Sequence, residues 1–564
     1  MKVIIIGGVA GGASAAARLR RLDETAQIIL LERGQYISYA NCGLPYYVGG
    51  EINQKEALTL QTPQSFRQRF GIDVRTGHEA AAIRPENKTV LIRDLAAGEE
   101  YEESYDKLIL SPGGEPARPP IPGTDDPRVF TLRTVPDSLR IREYIQQNRP
   151  RRAVVMGGGF IGLEMAENLM RAGVSVTVVE AMDHVMAALD YDMACEVQQY
   201  LRHQGVGLGL SQKVTAIDPQ ENGLLVHLEN GETLDADLLL LSAGIRPESA
   251  LAREAGLAVN ERGAIRTDSH MRTSDKNIYA VGDVVEITNL VTGWPGYVPL
   301  AGPANKQGRI AADHICGLPS EYRGTQGSSV MKLFDMTVAS TGLNEAAAKA
   351  TGLNYDKIHI FSPSHATYYP GAANLTIKTL FELPTGRILG AQVVGFDGID
   401  KRCDVLATAI RAGMTAYDLA ELELCYAPPY SSAKDPVNMA GFAIENILTG
   451  KVRQFHWDDI PRVVDDPSAV LLDVRTDLEW QSGSIPGAVH IPLDSLRENL
   501  AGLDPEKEIY VHCQSGLRSY LACRILSQHG FSCYNLSGGY RLYSMIRGNQ
   551  SYDNAPAHPC GLRI

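Results

Sequence analysis

Apolar residues in this chain come in short uninterrupted blocks, and each block is followed by glycine or by helical spacing. Residues 3–6 (VIII) form an apolar, β-branched run, the pattern of a strand buried on both faces. It leads into GGVAGGASAAARLRRL, a glycine turn with a helical pattern behind it, and then into QIILLE, which ends on Glu32. The order recurs at AVVM (153–156), GGGFIGLEMAENLMRAG and VSVTVVE, ending on Glu180. Toward the C-terminus AVLLDVR, EIYVHC and CYNL give three more strand blocks, again with helical spacing between them. The pattern predicts an α/β protein with two related units and a smaller α/β unit at the end.

A strand, a glycine turn, a helix and a strand ending in an acid make a dinucleotide-binding unit. Glycines let the backbone approach a pyrophosphate, and the helix N-terminus binds its charge. In the first loop these positions are Gly7, Gly8, Ala10, Gly11 and Gly12, with Val9 where strict G-x-G-x-x-G has glycine. The second loop fits in full, with Gly157, Gly159 and Gly162 around Phe160 and Ile161. Glu32 and Glu180 are placed to hold ribose hydroxyls. An acid at 180 favours NADH, because it repels the 2′-phosphate of NADPH. Two units imply two dinucleotides, and FAD with a nicotinamide is the usual pair.

Composition narrows this picture. A chain of 564 residues predicts two to four domains. A net charge of −13 argues against nucleic acid or an anionic membrane as partner. No apolar run approaches the roughly 20 residues that span a bilayer, and the N-terminal run is too short for a signal peptide. The nine cysteines are scattered without a metal-binding or disulfide framework. The expectation is a cytoplasmic protein with free thiols and no metal.

One cysteine stands apart. In ISYANCGLPYYVGG, Cys42 follows the first nucleotide unit, and the next cysteine is Cys195. An internal disulfide with a near neighbour is therefore closed to it, so a redox cycle at Cys42 needs an external sulfur or oxygen partner. The spacing predicts a helix starting near Cys42, and a helix N-terminus lowers a thiol pKa and favours the thiolate.

The segment TSDKNIYAVGDVVE (273–286) resembles the flavin-ribityl motif of the two-dinucleotide-binding flavoprotein disulfide reductases. The resemblance implies that Gly282 and Asp283 hold FAD. LILSPGG and LLLLSAGIRP are similar to that family's crossings between nucleotide domains, at Gly113 and Gly244. VPLAGPANKQGR (298–309) is similar to its helix after the flavin Asp, which sets Pro299, Leu300 and Ala301 by the isoalloxazine; Arg33 and Asn41 complete the cofactor set. Ser38-Tyr39-Ala40-Asn41-Cys42 resembles the SxxNC signature of coenzyme A disulfide reductases, which are homodimers. It implies that Cys42 forms a mixed disulfide with coenzyme A, that Ser38 and Asn41 bind substrate, and that Ser14, Arg18 and Arg21 contact the coenzyme. Tyr368 and Tyr426 match tyrosines that reach the partner's site, with Tyr369 and Tyr430 as neighbours in an open register.

The C-terminal unit closely resembles a rhodanese domain. Cys513 ends a strand, and Cys513-Gln514-Ser515-Gly516-Leu517-Arg518 opens a helix. Backbone N–H groups and the helix dipole are expected to stabilise a thiolate or persulfide there, with Arg518 adding positive charge. The C-x4-R spacing suits sulfur, where C-x5-R loops hold phosphate. Cys195, Cys316, Cys403, Cys425, Cys523 and Cys533 are read as packing residues; Cys560 has no account.

The resemblance to coenzyme A disulfide reductase–rhodanese fusions covers nearly the whole chain. It implies an FAD domain in two parts (1–115 and 246–324), an NADH domain (116–245), an α+β dimerisation domain (325–450) and a rhodanese domain (451–564). The expected activity is NADH-dependent reduction of a persulfide, polysulfide or coenzyme A disulfide, releasing hydrogen sulfide and thiol. Two other readings stand beside it. One is an NADH oxidase or peroxidase cycling Cys42 through sulfenic acid. The other is a sulfur-trafficking or redox-sensing protein with a regulatory flavin.

Overall fold

The computed structural model describes residues 1–553. They fall into two compact units, one of Met1–Ala181 with Ser211–Gly327 and one of Met182–Leu210 with the described residues from Ser328 onward. Cys560 lies outside the described residues.

In the first unit the opening apolar run forms the strand Lys2–Ile6 at the centre of a parallel sheet. The strand order is Ile278–Ala280, Lys107–Leu110, Lys2–Ile6, Gln27–Glu32, Asp73–Thr76. Ile4 lies beside Ile29 on one side and Leu108 on the other. With neighbours on both edges and helices on the faces, Val3, Ile4 and Ile5 are fully buried; each such side chain contributes about 1.5–3 kcal/mol. The chain leaves this sheet after Leu110 and returns with Ile278–Ala280, so one sheet is built from two distant stretches. Between them a second parallel sheet runs Val129–Phe130, Leu238–Leu241, Arg152–Met156, Ser175–Val179. The two crossing segments meet as a ribbon, Gly114–Pro116 against Ile245–Pro247.

The second unit carries an antiparallel sheet ordered Ser329–Leu333, Met336–Gly342, Ile388–Gly395, Asn374–Glu382, Tyr355–Pro363. The helices Ile399–Ala412 and Pro436–Leu448 accompany it. Asp435 caps the second helix at its N-terminus and accepts a charged hydrogen bond from buried Arg402 at 3.0 Å, which ties the two helices together. The segment Met182–Leu210, inside the expected NADH-binding span, belongs to this unit. Its helix Tyr191–His203 brings Asp192 beside buried Lys378, at 2.8 Å. Asp190, Asp192 and Glu345 converge like a metal cluster, but the ammonium of Lys378 sits among them at 2.9, 2.8 and 2.5 Å. A buried cation with these partners is satisfied, and removing it would leave the three carboxylates to other side-chain partners, among them Lys357, His359 and Gln392.

The unit ends in a parallel sheet ordered Gln454–Phe455, Cys533–Leu536, Glu508–His512, Ala469–Asp473, Val489–His490. The helix Gly539–Asp553 packs on Tyr191–His203, where Asn549 Nδ2 donates to the Cys195 carbonyl at 3.0 Å. Cys195, Cys403, Cys523 and Cys533 are buried, in keeping with packing roles. Cys425 departs from that expectation: it is exposed, in an irregular stretch between helices. Cys316 is half-buried. Among the described residues no helix is long and apolar enough to cross a membrane.

Candidate functional site

Both glycine loops show why glycine is needed. A Cβ on Gly7 (φ +97°) would lie 2.0 Å from the Ser111 carbonyl oxygen, and one on Gly157 (φ +109°) 2.5 Å from that of Ser242. Each loop packs against the crossing strand at the sheet's end. The helix Ala10–Leu22 starts without a side-chain cap and without an acid in its first turn, and so does Phe160–Arg171. Their first N–H groups are thus free to meet an anion. A Cβ on Gly159 would meet nothing within 4 Å, so that turn is open to a ligand.

Glu32 and Glu180, expected at ribose hydroxyls, are bonded here to the backbone of the glycine turns. Glu32 accepts the Gly8 N–H at 3.0 Å and the Gly34 N–H at 2.8 Å, and Glu180 accepts the Gly158 N–H at 2.7 Å. Each acid therefore also pins its own glycine turn. Gly282 donates to Gln307 Oε1 at 2.8 Å, and the half-buried Asp283 carboxyl is pushed up by desolvation, opposed by Arg133. Gly113 and Gly244 take positive φ at the two crossings. Pro299 and Leu300 lead into the uncapped start of the helix Ala301–Ile315. Arg33 is paired at 3.0 Å with Glu248, an acid it shares with Arg133 at 2.6 Å. The two loops, their acids and Asp283 fit a pair of dinucleotides by shape and by donor chemistry.

Cys42 sits in a single turn, Asn41–Gly43, ahead of the short helix Leu44–Val48. The residue and its neighbour Asn41 are exposed. The expected lowering of the thiol pKa is not found. Desolvation of the sulfur pushes the thiol up, and the carboxylates of Glu164 and Asp283 push it further; only its own backbone N–H opposes them. The reason is local: the helix begins after Cys42 and is too short to supply a strong dipole. Glu164 arrives from the second glycine helix. Burial and neighbouring Glu167 raise it to about 7, while a hydrogen bond with Tyr46 opposes the rise. Neither Glu164 nor Tyr46 was singled out in the sequence, although Tyr46 stands one helical turn beyond Cys42 and Glu164 lies two residues past Gly162.

Ser38 adopts the left-handed conformation at φ 44°, unusual for a residue with a Cβ. Together with Ser14, Arg18 and Arg21 it lines a cavity of about 350 Å³, whose wall also includes Gln61 and Asn305. Four of the five expected substrate contacts thus converge, with Asn41 outside the lining. Within it, Arg18 is bound to Asp313 at 2.6 Å and Ser14 to Asn305. Arg21 is exposed. In the second unit, the hydroxyls of Tyr368 and Tyr426 are hydrogen-bonded at 2.9 Å, and both rings are exposed. This contact separates the pair from Tyr369 and Tyr430.

Cys513 is built differently. It is fully buried at the end of Glu508–His512. Its sulfur accepts the Gly516 N–H at 3.2 Å and the Ser519 hydroxyl at 3.3 Å. Gly516 turns at φ +101°, and a Cβ on Gly539 would lie 2.6 Å from the Cys513 carbonyl oxygen. The expected ring of backbone donors is therefore one N–H plus a hydroxyl that the motif did not single out. Arg518 also differs from expectation. Both of its terminal nitrogens are held by Glu479, at 2.7 and 2.6 Å, so its charge is matched. Neighbouring His512 is buried and neutral, with desolvation lowering its pKa to about 4.

Comparison with known proteins extends these observations. A family model for pyridine nucleotide-disulphide oxidoreductases matches residues 1–308, and one for their dimerisation domain matches 328–436. A rhodanese-like domain matches 458–545. The chain is 34% identical to the coenzyme A disulfide reductase of Staphylococcus haemolyticus over 79% of this chain and all of that protein. Among solved structures, it is similar to reduced CoADR-RHD of Bacillus anthracis at 48% identity and TM-score 0.95, over 97% of this chain and 98% of that one. It is also similar to an NAD-dependent persulfide reductase from A. fulgidus, at 41% identity and TM-score 0.90, over 96% of this chain and 100% of that one.

Proposed function

The chain belongs to the pyridine nucleotide-disulphide oxidoreductases and carries a rhodanese-like domain, and from that premise we propose that it is an NADH-dependent reductase of coenzyme A-linked persulfide or disulfide. Cys42 is its nucleophile and Cys513 its carrier of sulfane sulfur. The observation that carries this reading is the pair of cysteines in unlike settings: an exposed thiol after a nucleotide loop, and a buried sulfur with two hydrogen-bond donors.

The Cys42 thiolate attacks the S–S bond of the substrate. With a coenzyme A persulfide, attack on the coenzyme-bound sulfur releases hydrosulfide and leaves Cys42 joined to coenzyme A. FAD and NADH, when bound, supply the electron pair that returns Cys42 to the thiolate and frees the coenzyme. The glycine loops bind the two pyrophosphates, and Glu32 and Glu180 orient the turns. The cavity lined by Ser14, Arg18, Arg21 and Ser38 is assigned to the coenzyme's nucleotide end, with Asn41 beside the sulfur. Glu164, raised to about 7 near Cys42, is suited to hold the proton that the leaving sulfur takes up.

Cys513 takes sulfur from polysulfide or persulfide and keeps it as a persulfide anion, stabilised by the Gly516 N–H and the Ser519 hydroxyl. Tyr368 and Tyr426, exposed and bonded to each other, are assigned to a homodimer in which they reach the partner's Cys42 site. The test is anaerobic NADH oxidation with coenzyme A persulfide, coenzyme A disulfide and polysulfide. A Cys42→Ser enzyme should be inactive with all three. Persulfide-dependent turnover in that variant would sink the proposal.

A further inference from the structure

Arg518 is the one cation of the Cys513 loop, and the sequence motif gives it the task of adding positive charge beside the sulfur, charge that would also favour an anionic donor. The side chains around it remove that charge. Its two terminal nitrogens meet both oxygens of Glu479 at 2.7 and 2.6 Å, a bidentate pair. Glu479 is fixed in turn by the cap of its own helix, since its carboxylate accepts the Thr476 N–H at 3.0 Å and the Thr476 hydroxyl at 2.9 Å. The nearby cations are also matched: Arg475 with Asp473 at 2.7 Å and Arg541 with Glu196 at 3.8 Å. Flanking the pair in sequence, Leu478 and Leu517 are 79% and 58% exposed, which adds apolar surface beside it, and the neighbouring exposed Asp477 adds negative rather than positive charge.

We infer that Glu479 sets the donor specificity of the Cys513 loop: by cancelling Arg518 it disfavours small dianionic sulfur donors and leaves the loop to persulfides whose sulfur is on an uncharged arm. The inference rests on the reading of Cys513 as a sulfur carrier. With an alkyl persulfide, Cys513 thiolate attacks the terminal sulfur, the S–S bond breaks, and Cys513–S–S⁻ forms as the thiol RSH departs with the persulfide's proton. With thiosulfate the same attack expels sulfite, and no proton is needed. Cyanide then removes the outer sulfur as thiocyanate and restores the thiolate. The dianion gains most from a bare guanidinium, so Glu479 acts on thiosulfate more than on a persulfide, which carries at most one negative charge.

The test is thiocyanate formation by the full-length holoenzyme with thiosulfate and with an alkyl persulfide whose arm is uncharged, in wild type and Glu479→Gln. Glutamine keeps the helix cap, because this capping position takes Glu or Gln alike, so a general loss of fold would lower both donors together. The expected result is that wild type prefers the persulfide, and that Glu479→Gln raises the thiosulfate-to-persulfide ratio of kcat/KM about tenfold. An unchanged ratio, or a wild type that uses both donors equally, overturns the inference while leaving the carrier role of Cys513 intact. No thiocyanate from either donor in wild type removes the carrier role, and this inference with it.

Discussion

The two reactive cysteines face opposite problems. Cys42 is exposed, has no donor to its sulfur among the described residues beyond its own N–H, and lies near two carboxylates that oppose a negative sulfur. Cys513 is fully buried, yet its sulfur accepts an N–H and a hydroxyl within a glycine turn. The first setting suits a thiol that must meet a large substrate and let it go; charge on it is not stabilised by this chain's side chains. The second suits a sulfur that must hold a negative charge over time and be reached by little else. The difference teaches that one chemical group, the cysteine thiol, is assigned its work by its donors and its access rather than by the motif alone.

The strongest way to break the comparison is to exchange the two roles by deletion. Cys42→Ser should lower NADH-dependent turnover of coenzyme A disulfide by on the order of 10³-fold or more, because the nucleophile is gone. Cys513→Ser should abolish persulfide-to-cyanide transfer yet leave coenzyme A disulfide turnover within about twofold. Loss of disulfide turnover in Cys513→Ser would merge the two sites into one and end the comparison. Next in size, Gly516→Ala places a Cβ at φ +101°, where strain costs about 1–3 kcal/mol. Sulfur transfer, followed as thiocyanate, should fall about tenfold or more.

Ser519→Ala removes the hydroxyl donor but leaves the turn. A lost hydrogen bond to charged sulfur is worth about 1.5 kcal/mol, so transfer should drop roughly tenfold at most. The smallest effect sharpens the Cys42 side. Glu164 raises the Cys42 thiol, so Glu164→Gln should lower it. The midpoint of Cys42 alkylation against pH, read by peptide mass spectrometry, should move to lower pH. An upward move would show that Glu164 acts on Cys42 other than by its charge.

Much of this was legible in the chain, and for a physical reason. Residues 3–6 and 153–155 are buried on both faces, so their strands needed only an apolar run and a glycine to be read. Cys42 and Cys513 were found because each sits in a local motif. What escaped reading depends on residues far apart in sequence. Glu164 comes to Cys42 on another domain's helix, and Glu479 comes to Arg518 from 39 residues away. The lowered thiol pKa expected at Cys42 failed because desolvation of the sulfur, and then the nearby carboxylates, outweigh the short helix that follows it. The helix Tyr191–His203 follows the second nucleotide unit in sequence but joins the other unit in space, through Asp192 and Lys378. Such pairings leave no periodic trace.

The most direct test of the division between the two cysteines is to load the holoenzyme anaerobically with coenzyme A persulfide, without NADH, and map the sulfur on each cysteine by peptide mass spectrometry. The account predicts an added sulfur on Cys513 that persists in Cys42→Ser, and coenzyme A or sulfur on Cys42 that persists in Cys513→Ser when coenzyme A persulfide is given. Addition of NADH should then clear Cys42 in the Cys513→Ser enzyme and leave Cys513 loaded in the Cys42→Ser enzyme. Clearance of Cys513 by NADH without Cys42 would contradict it.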